Sequence, residues 1–177
     1  MSMQQNDSVS VEENNKDLAL RMNARLNEGD VDGCVAFFAE KVINHGFPVD
    51  REVIRHILLD ITKTFPDARF EPVLVTAEEE WVTMRMRFSG THRGVSKLPV
   101  NGGLLMGIPP TGKTFSADHI HVYRVQGGAI HEHYACRDDL EMVRQLGLLP
   151  PLPGFDPESL RPEAQVATEE KALVTAG

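Results

Sequence analysis

Two strand-length runs, residues 115–125 and 129–136, are divided by Gln126, Gly127 and Gly128. Apolar and β-branched runs on either side of a short glycine turn make an antiparallel hairpin, and that commits the second half of the chain to a sheet. Upstream the period is different. Leu18, Met22 and Leu26 recur at four-residue spacing and stop at Gly29, the pattern of an amphipathic helix with a glycine at its C-terminal end. Asp30 suits the cap of a second helix over 31–39. Asp50 suits the cap of a third over 51–64, where Val53, Ile54, Ile57, Leu58 and Ile61 form the apolar stripe and Pro66 ends the segment. At Val82 the period drops to two. Val82, Met84, Met86 and Phe88 alternate with Thr83, Arg85 and Arg87, giving a strand with one apolar face. Residues 138–146 read as a closing helix. Helices followed by antiparallel strands predict an α+β domain, a curved antiparallel sheet wrapped around N-terminal helices, with one pocket between the layers.

The chain has 177 residues, a size that suits one domain. Residues 1–15 are polar without an apolar period, and five prolines fall between 150 and 162, so 1–15 and 150–177 read as tails around a folded domain at 16–149. No apolar run approaches the ~20 residues needed to cross a bilayer, and the N-terminus has no secretory pattern. Cys34 and Cys136 are far apart in sequence and read as reduced thiols of a cytoplasmic protein. Eighteen basic against 26 acidic residues give a net charge of −8, the wrong sign for neutralising phosphates. Nucleic acids and anionic membranes are therefore not expected as partners.

Residues 107–114 match the phosphate-loop pattern G-x-x-x-x-G-K-[ST] letter for letter. The pattern lacks its mechanism. Pro109 and Pro110 supply no N–H groups to cradle phosphates, and a strand rather than a helix is expected after it. The segment reads as a turn entering a strand.

Four of the seven histidines fall in fifteen residues: His119 and His121 on one strand, His131 and His133 on the next. Residues two apart share a strand face. With a three-residue turn Val125 pairs with Ala129, His121 stands opposite His133, and Tyr123 stands opposite His131, so the imidazoles line one surface. A turn one residue shorter pairs His121 with Tyr134 and exchanges the faces of the second strand.

Three roles are open to the cluster. The rings could be hydrogen-bonded sheet residues without a task, or ligands for zinc, iron or copper, although Glu132 points away from them. They could instead carry acid–base chemistry, because two imidazoles in one partly buried pocket cannot both hold a proton cheaply and one stays neutral near pH 7. Asn44 and His45 follow Val42 and Ile43, where the second helix gives way to an extended stretch that can reach the pocket mouth. His92 keeps the parity of Phe88 and faces the pocket if the strand continues through Gly90. His56, in mid-helix, reads as structural, and Asp118, Asp138 and Asp139 as caps or rim charges.

Apolar walls from Met84, Met86 and Phe88 with a few convergent polar groups suit a small apolar substrate bearing a carbonyl. His133 is the expected base, with His119 or His121 as its partner or as donor to a developing enolate. Asn44, His45, His92, Tyr123 and His131 are the expected polar contacts to substrate. The alternatives are a non-catalytic ligand-binding or dimerisation domain and a metal-dependent enzyme that uses the strand histidines.

With these residues in place, the sequence resembles the SnoaL-like ester cyclases, a branch of the cone-shaped α+β fold shared with nuclear transport factor 2 and ketosteroid isomerase. The matching segments are G-D-V-D-G at 29–33, F-P-D at 65–67, F-S-G-T-H at 88–92, G-I-P-P-T-G at 107–112, H-I-H-V-Y-R from His119, R-D-D-L at 137–140 and R-Q-L-G at 144–147. Together they cover about 17–149. The resemblance implies a pocket enclosed by helices and a curved sheet, a homodimer or homotetramer formed through the outer sheet face, no cofactor and no metal. It also implies ring closure by intramolecular aldol condensation with a side-chain acid/base. The family's catalytic aspartate falls on His133 and its partner histidine on His119. The general-base aspartate of ketosteroid isomerase falls near His45, its protonated aspartate on His121 and its oxyanion tyrosine on Met22, so steroid isomerisation by that apparatus is not expected.

Overall fold

The computed structural model describes residues 10–149. Helix α1 (Val11–Asn27) begins at Ser10, whose Oγ accepts a hydrogen bond from the Glu13 N–H. Residues 11–15, expected as tail, are therefore helix. Asn15 is buried and its Nδ2 donates to the Glu79 carbonyl at 3.0 Å. The proline-rich stretch 150–177 lies outside the described residues. Helix α1 stops where Gly29 takes a φ of 80°, and Asp30 then caps α2 (Val31–Val35) through Gly33 N–H at 2.8 Å.

The helix expected over 31–39 is shorter because the sheet competes for its backbone. Phe37 O accepts from Ile130 N–H at 2.8 Å, and β1 (Phe38–Asn44) follows. Strand β2 (Phe47–Asp50) returns across a two-residue turn in which His45 and Gly46 have φ of 51° and 84°, both positive as this tight hairpin requires. Helix α3 (Arg51–Thr64) has the expected bounds. Asp50 stands at its cap position, but the carboxylate pairs with Lys41 across the hairpin instead.

Strands β3 (Arg69–Glu78), β4 (Trp81–Thr91), β5 (Thr114–Gln126) and β6 (Ala129–Arg137) follow, and α4 (Asp139–Gln145) closes the described chain with Asp138 as cap. Thr114, at the end of the phosphate-loop pattern, opens strand β5, and no helix starts there.

The six strands form one curved, open sheet in the order β2-β1-β6-β5-β4-β3. It is mixed, where an antiparallel sheet was expected: β1 leaves the helical part of the chain and lies parallel to β6, while every other pair is antiparallel. Helix α1 packs on β3 and β4, and α3 packs on β1 and β2. Asn23 and Asn27 pin α1 to the sheet edge, both donating to the Phe70 carbonyl while Asn27 Oδ1 accepts the Phe70 N–H. Phe70 stacks on Phe88 with centroids 4.3 Å apart, and Phe65 and Phe115 close the aromatic floor.

The β5–β6 hairpin corrects the expected register. Its turn is only Gly127 and Gly128, so Gln126 pairs with Ala129 and Val125 with Ile130. Unrelieved, that shorter turn would put His121 against Tyr134. The next pair is instead Arg124 with Glu132, which leaves His131 as an extra residue in a β-bulge. Tyr123 then pairs with His133, His121 with Ala135 and His119 with Arg137. His133 returns to the inner face through the bulge and not through a longer turn.

Candidate active site

Helices α1 and α3, the inner sheet face and the 92–113 loop enclose a cavity of about 240 Å³. Met22, Leu26, Ile54, Leu58 and Ile61 form its helical wall, and Met86 and Phe88 its sheet wall. The apolar spacing of α3 places Ile54, Leu58 and Ile61 on one side of the helix, whereas Val53 is exposed. The 92–113 loop roofs the cavity with Pro99, Val100 and Leu105. It is tied down by Asp60, whose carboxylate accepts from Ser96 Oγ at 2.6 Å and Lys97 N–H at 2.9 Å.

Of the side chains expected in the pocket, Asn44, His45, Met86, Phe88, His119, His121, Tyr123 and His133 line it. Three do not. Met84 is fully buried in the core. His92 lies one residue beyond the end of β4 and is also fully buried. Its Nδ1 meets Thr111 N and Oγ1 at 3.3 Å, and its ring packs 5.8 Å from Phe65. His131, the bulge residue, is not a lining side chain. His45 is in the β1–β2 turn and not in an extended stretch, with its ring 5.5 Å from that of His133.

The sheet imidazoles form a line. Asn44 Oδ1 is 2.9 Å from His133 Nδ1, His133 Nε2 is 3.0 Å from His121 Nδ1, and His121 Nε2 is 3.4 Å from His119 Nδ1. Adjacent histidine rings are within 23° of parallel, and Tyr123 lies alongside His133 at 5.1 Å. An amide oxygen can only accept, so Asn44 holds the His133 proton on Nδ1 and leaves Nε2 as an acceptor. That nitrogen accepts from the Nδ1–H of His121, and the same logic passes to His119. The line ends at His119 Nε2, which is buried without a partner. The ring nitrogens face one another, and among the described residues no group of three His, Cys, Asp or Glu side chains is arranged to hold a metal ion.

Burial keeps these rings neutral. It pushes His133 down to about 3, with His45 and Arg137 adding repulsion, and His119 down to about 4, with Arg137 opposing a proton and Asp118 favouring one. His121 is lowered well below its ordinary range by burial and by His133 and His119, and His45 is lowered by burial and Arg137. Burial raises the Tyr123 hydroxyl, which stays protonated.

Arg137, like Asp60, is a charged cavity residue that the expectations missed. It lies opposite His119 on the same inner face as His133 and Ala135. The indication was available, since alternation from His133 leads to it, but a guanidinium at a strand end next to two aspartates reads as a rim charge.

A model of the SnoaL-like polyketide cyclases matches residues 16–146. The chain belongs to that family. This SnoaL-like protein is 30% identical over 153 residues to the aklanonic acid methyl ester cyclase DnrD of Streptomyces peucetius, covering 82% of this chain and 97% of that one. It is 34% identical over 88 residues to the aklanonic acid methyl ester cyclase AcmA of Streptomyces galilaeus, a match to 49% of this chain and only 55% of that relative's length. Among solved structures, AclR of Streptomyces galilaeus, a proposed hydroxylase, superposes with a TM-score of 0.66 at 26% identity, covering 77% of this chain and 97% of AclR. AclR thus shares the architecture of helices and curved sheet described above. Among the described residues no helix is long and apolar enough to cross a membrane.

Proposed function

We propose that this cavity closes a ring in an apolar, polyketide-like ester by an intramolecular aldol reaction, with His121 as the base. The observation that carries the proposal is the ordered line from Asn44 through His133 to His121. It leaves His121 Nε2 unprotonated, and the 3.4 Å step from that nitrogen to His119 is the longest in the line. A hydrogen on a carbon beside a carbonyl can compete for it.

His133, the base expected from the sequence, here orients His121, as the third group of a triad orients its base. His121 Nε2 takes the proton from carbon, and the enolate carbon attacks a second carbonyl of the same molecule. A C–C bond forms, the carbonyl oxygen becomes an alkoxide, and the proton held by the imidazole goes to that oxygen. The product is an isomer of the substrate, and no cofactor enters the balance. Burial keeps this imidazole neutral, so its nitrogen is free to accept at neutral pH.

Aklanonic acid methyl ester, the compound named for the relatives, is the substrate to offer. Mass spectrometry coupled to chromatography should detect a product of unchanged mass. His121→Ala and His133→Ala should each lower its formation by about 10² or more, with circular dichroism confirming that both variants are folded. Absence of conversion across pH 6 to 9 would overturn the aldol proposal. A product one oxygen atom heavier would point to hydroxylation, the activity proposed for AclR.

The outer sheet face exposes Leu74, Trp81 and Ile120, and we propose that it joins two copies of the chain. Light scattering at micromolar concentration should give twice the chain mass, and Ile120→Lys should halve it.

A further inference from the structure

We propose that Arg137 is an oxyanion subsite of the cavity, built to take a planar two-oxygen anion on the substrate, either a carboxylate or an ionised 1,3-dicarbonyl. The inference names the substrate class of the site proposed above and rests on the cavity being the substrate site. Arg137 and Asp60 are the formally charged side chains among the lining residues. Asp60 is already committed to Ser96 and Lys97.

Arg137 is not committed in that way. Its side chain is 23% exposed, and its buried Nε makes no hydrogen bond. The nearest carboxylate oxygen, Asp139 Oδ2, is 3.5 Å away, beyond the roughly 2.7–2.9 Å of a charge-assisted bond. Asp139 is itself only loosely satisfied: its Oδ1 is buried without a partner, and burial raises its pKa against the opposing pull of Arg137. The imidazoles beside Arg137 are neutral and offset none of its charge.

A guanidinium has five N–H donors in a rigid fork, and a partly desolvated one with a single loose partner gains most from an anion of matching planar shape. Across the register from His119, it faces the same space as the imidazole line. Asp139 is a positioning residue here, holding the fork without occupying it.

Binding of unreactive probes tests this without turnover, so the result is independent of the aldol proposal. Titration calorimetry at pH 7.5 would compare 2-naphthoate with methyl 2-naphthoate, and 2-acetyl-1,3-indandione with 1-indanone. The first pair reads carboxylates and the second ionised dicarbonyls. At least one anion should bind roughly tenfold or more tightly than its neutral counterpart. Arg137→Met should bring that ratio to within about twofold, and Arg137→Lys, which keeps the charge but loses the fork, should leave part of it. Asp139→Asn should tighten the anion a few-fold and leave the neutral probe unchanged, which decides the matter even if Arg137→Met fails to fold. Ratios near one in the wild type, a preference that survives Arg137→Met, no gain in Asp139→Asn, or no binding of either anion up to about 5 mM would each overturn the proposal.

Discussion

Replacing His119 with phenylalanine should flatten the acid side of the stability profile. His119 is 2% exposed, with its ring 5.0 Å from that of Phe88 and 6.5 Å from that of Phe70, and it is held down to about 4 from an ordinary value of 6.5. Because the folded value lies below the unfolded one, the unfolded chain takes the proton first. The stability associated with the neutral ring is complete above about pH 6.5 and is lost as pH falls toward 4. Integrating that linkage from pH 7.5 to pH 5 gives about 2 kcal/mol from this one side chain. Phenylalanine preserves a ring against the aromatic floor and takes no proton, so the variant should keep that stability. His121, His133 and His45 are depressed as well and steepen the decline in both proteins, and because His119 also opposes a proton on His121, the difference between the two reports His119 together with its effect on that neighbour. Urea melts followed by the fluorescence of Trp81 would measure it. With a slope of about 2 kcal/mol per molar urea, the wild-type midpoint should fall by about 1 M more than the variant's over this pH range. Equal displacement of the two midpoints would refute the reasoning, since it would mean that the buried ring titrates as it does in water.

Asp60→Ala should release the roof of the cavity, costing about 1.5–3 kcal/mol for the lost charge-assisted bonds and raising hydrogen exchange at Lys97 N–H, both readable by mass spectrometry and urea melts. Cys34 is buried with its thiol pushed up to about 12, whereas Cys136 is exposed, so a thiol reagent at pH 8 should label one cysteine in the native protein and both in denaturant. His131→Ala should change ring closure by less than about twofold, against the roughly 10² loss expected for His133→Ala, because the bulge keeps residue 131 off the cavity wall.

Much of the architecture was legible because it is written in local periods. The four-residue spacing of Leu18, Met22 and Leu26 falls in α1, the stripe in 51–64 is α3 to the residue, and the alternation from Val82 is β4. What escaped depends on partners distant in sequence. Residues 36–39 have no local reason to leave a helix; they do so because β6, some ninety positions later, offers parallel pairing. Strand β3 lies at the sheet edge and lacks a clear alternation, with a bulge after Pro72. In the cavity, His119, His121 and His133 were recognisable as one group, yet their convergence rests on a compensation between a short turn and a bulge that neither feature announces alone. Asp60 and Arg137 were invisible as cavity residues because each looks like an ordinary surface charge until the loop or strand opposite it is in place.

The residue absorbed at position 131 has a consequence for what the last strand could have been. Along β6 the side facing away from the cavity carries Glu132, Tyr134 and Cys136, with the Tyr134 hydroxyl donating to Glu132 and Arg124 anchoring the same carboxylate. Had the ribbon zipped up without its slack residue, carboxylate, phenol and thiol would have lined the interior in place of imidazole and guanidinium. One strand therefore encodes two alternative reagent sets back to back, and a single backbone kink selects between them without any change of side chain.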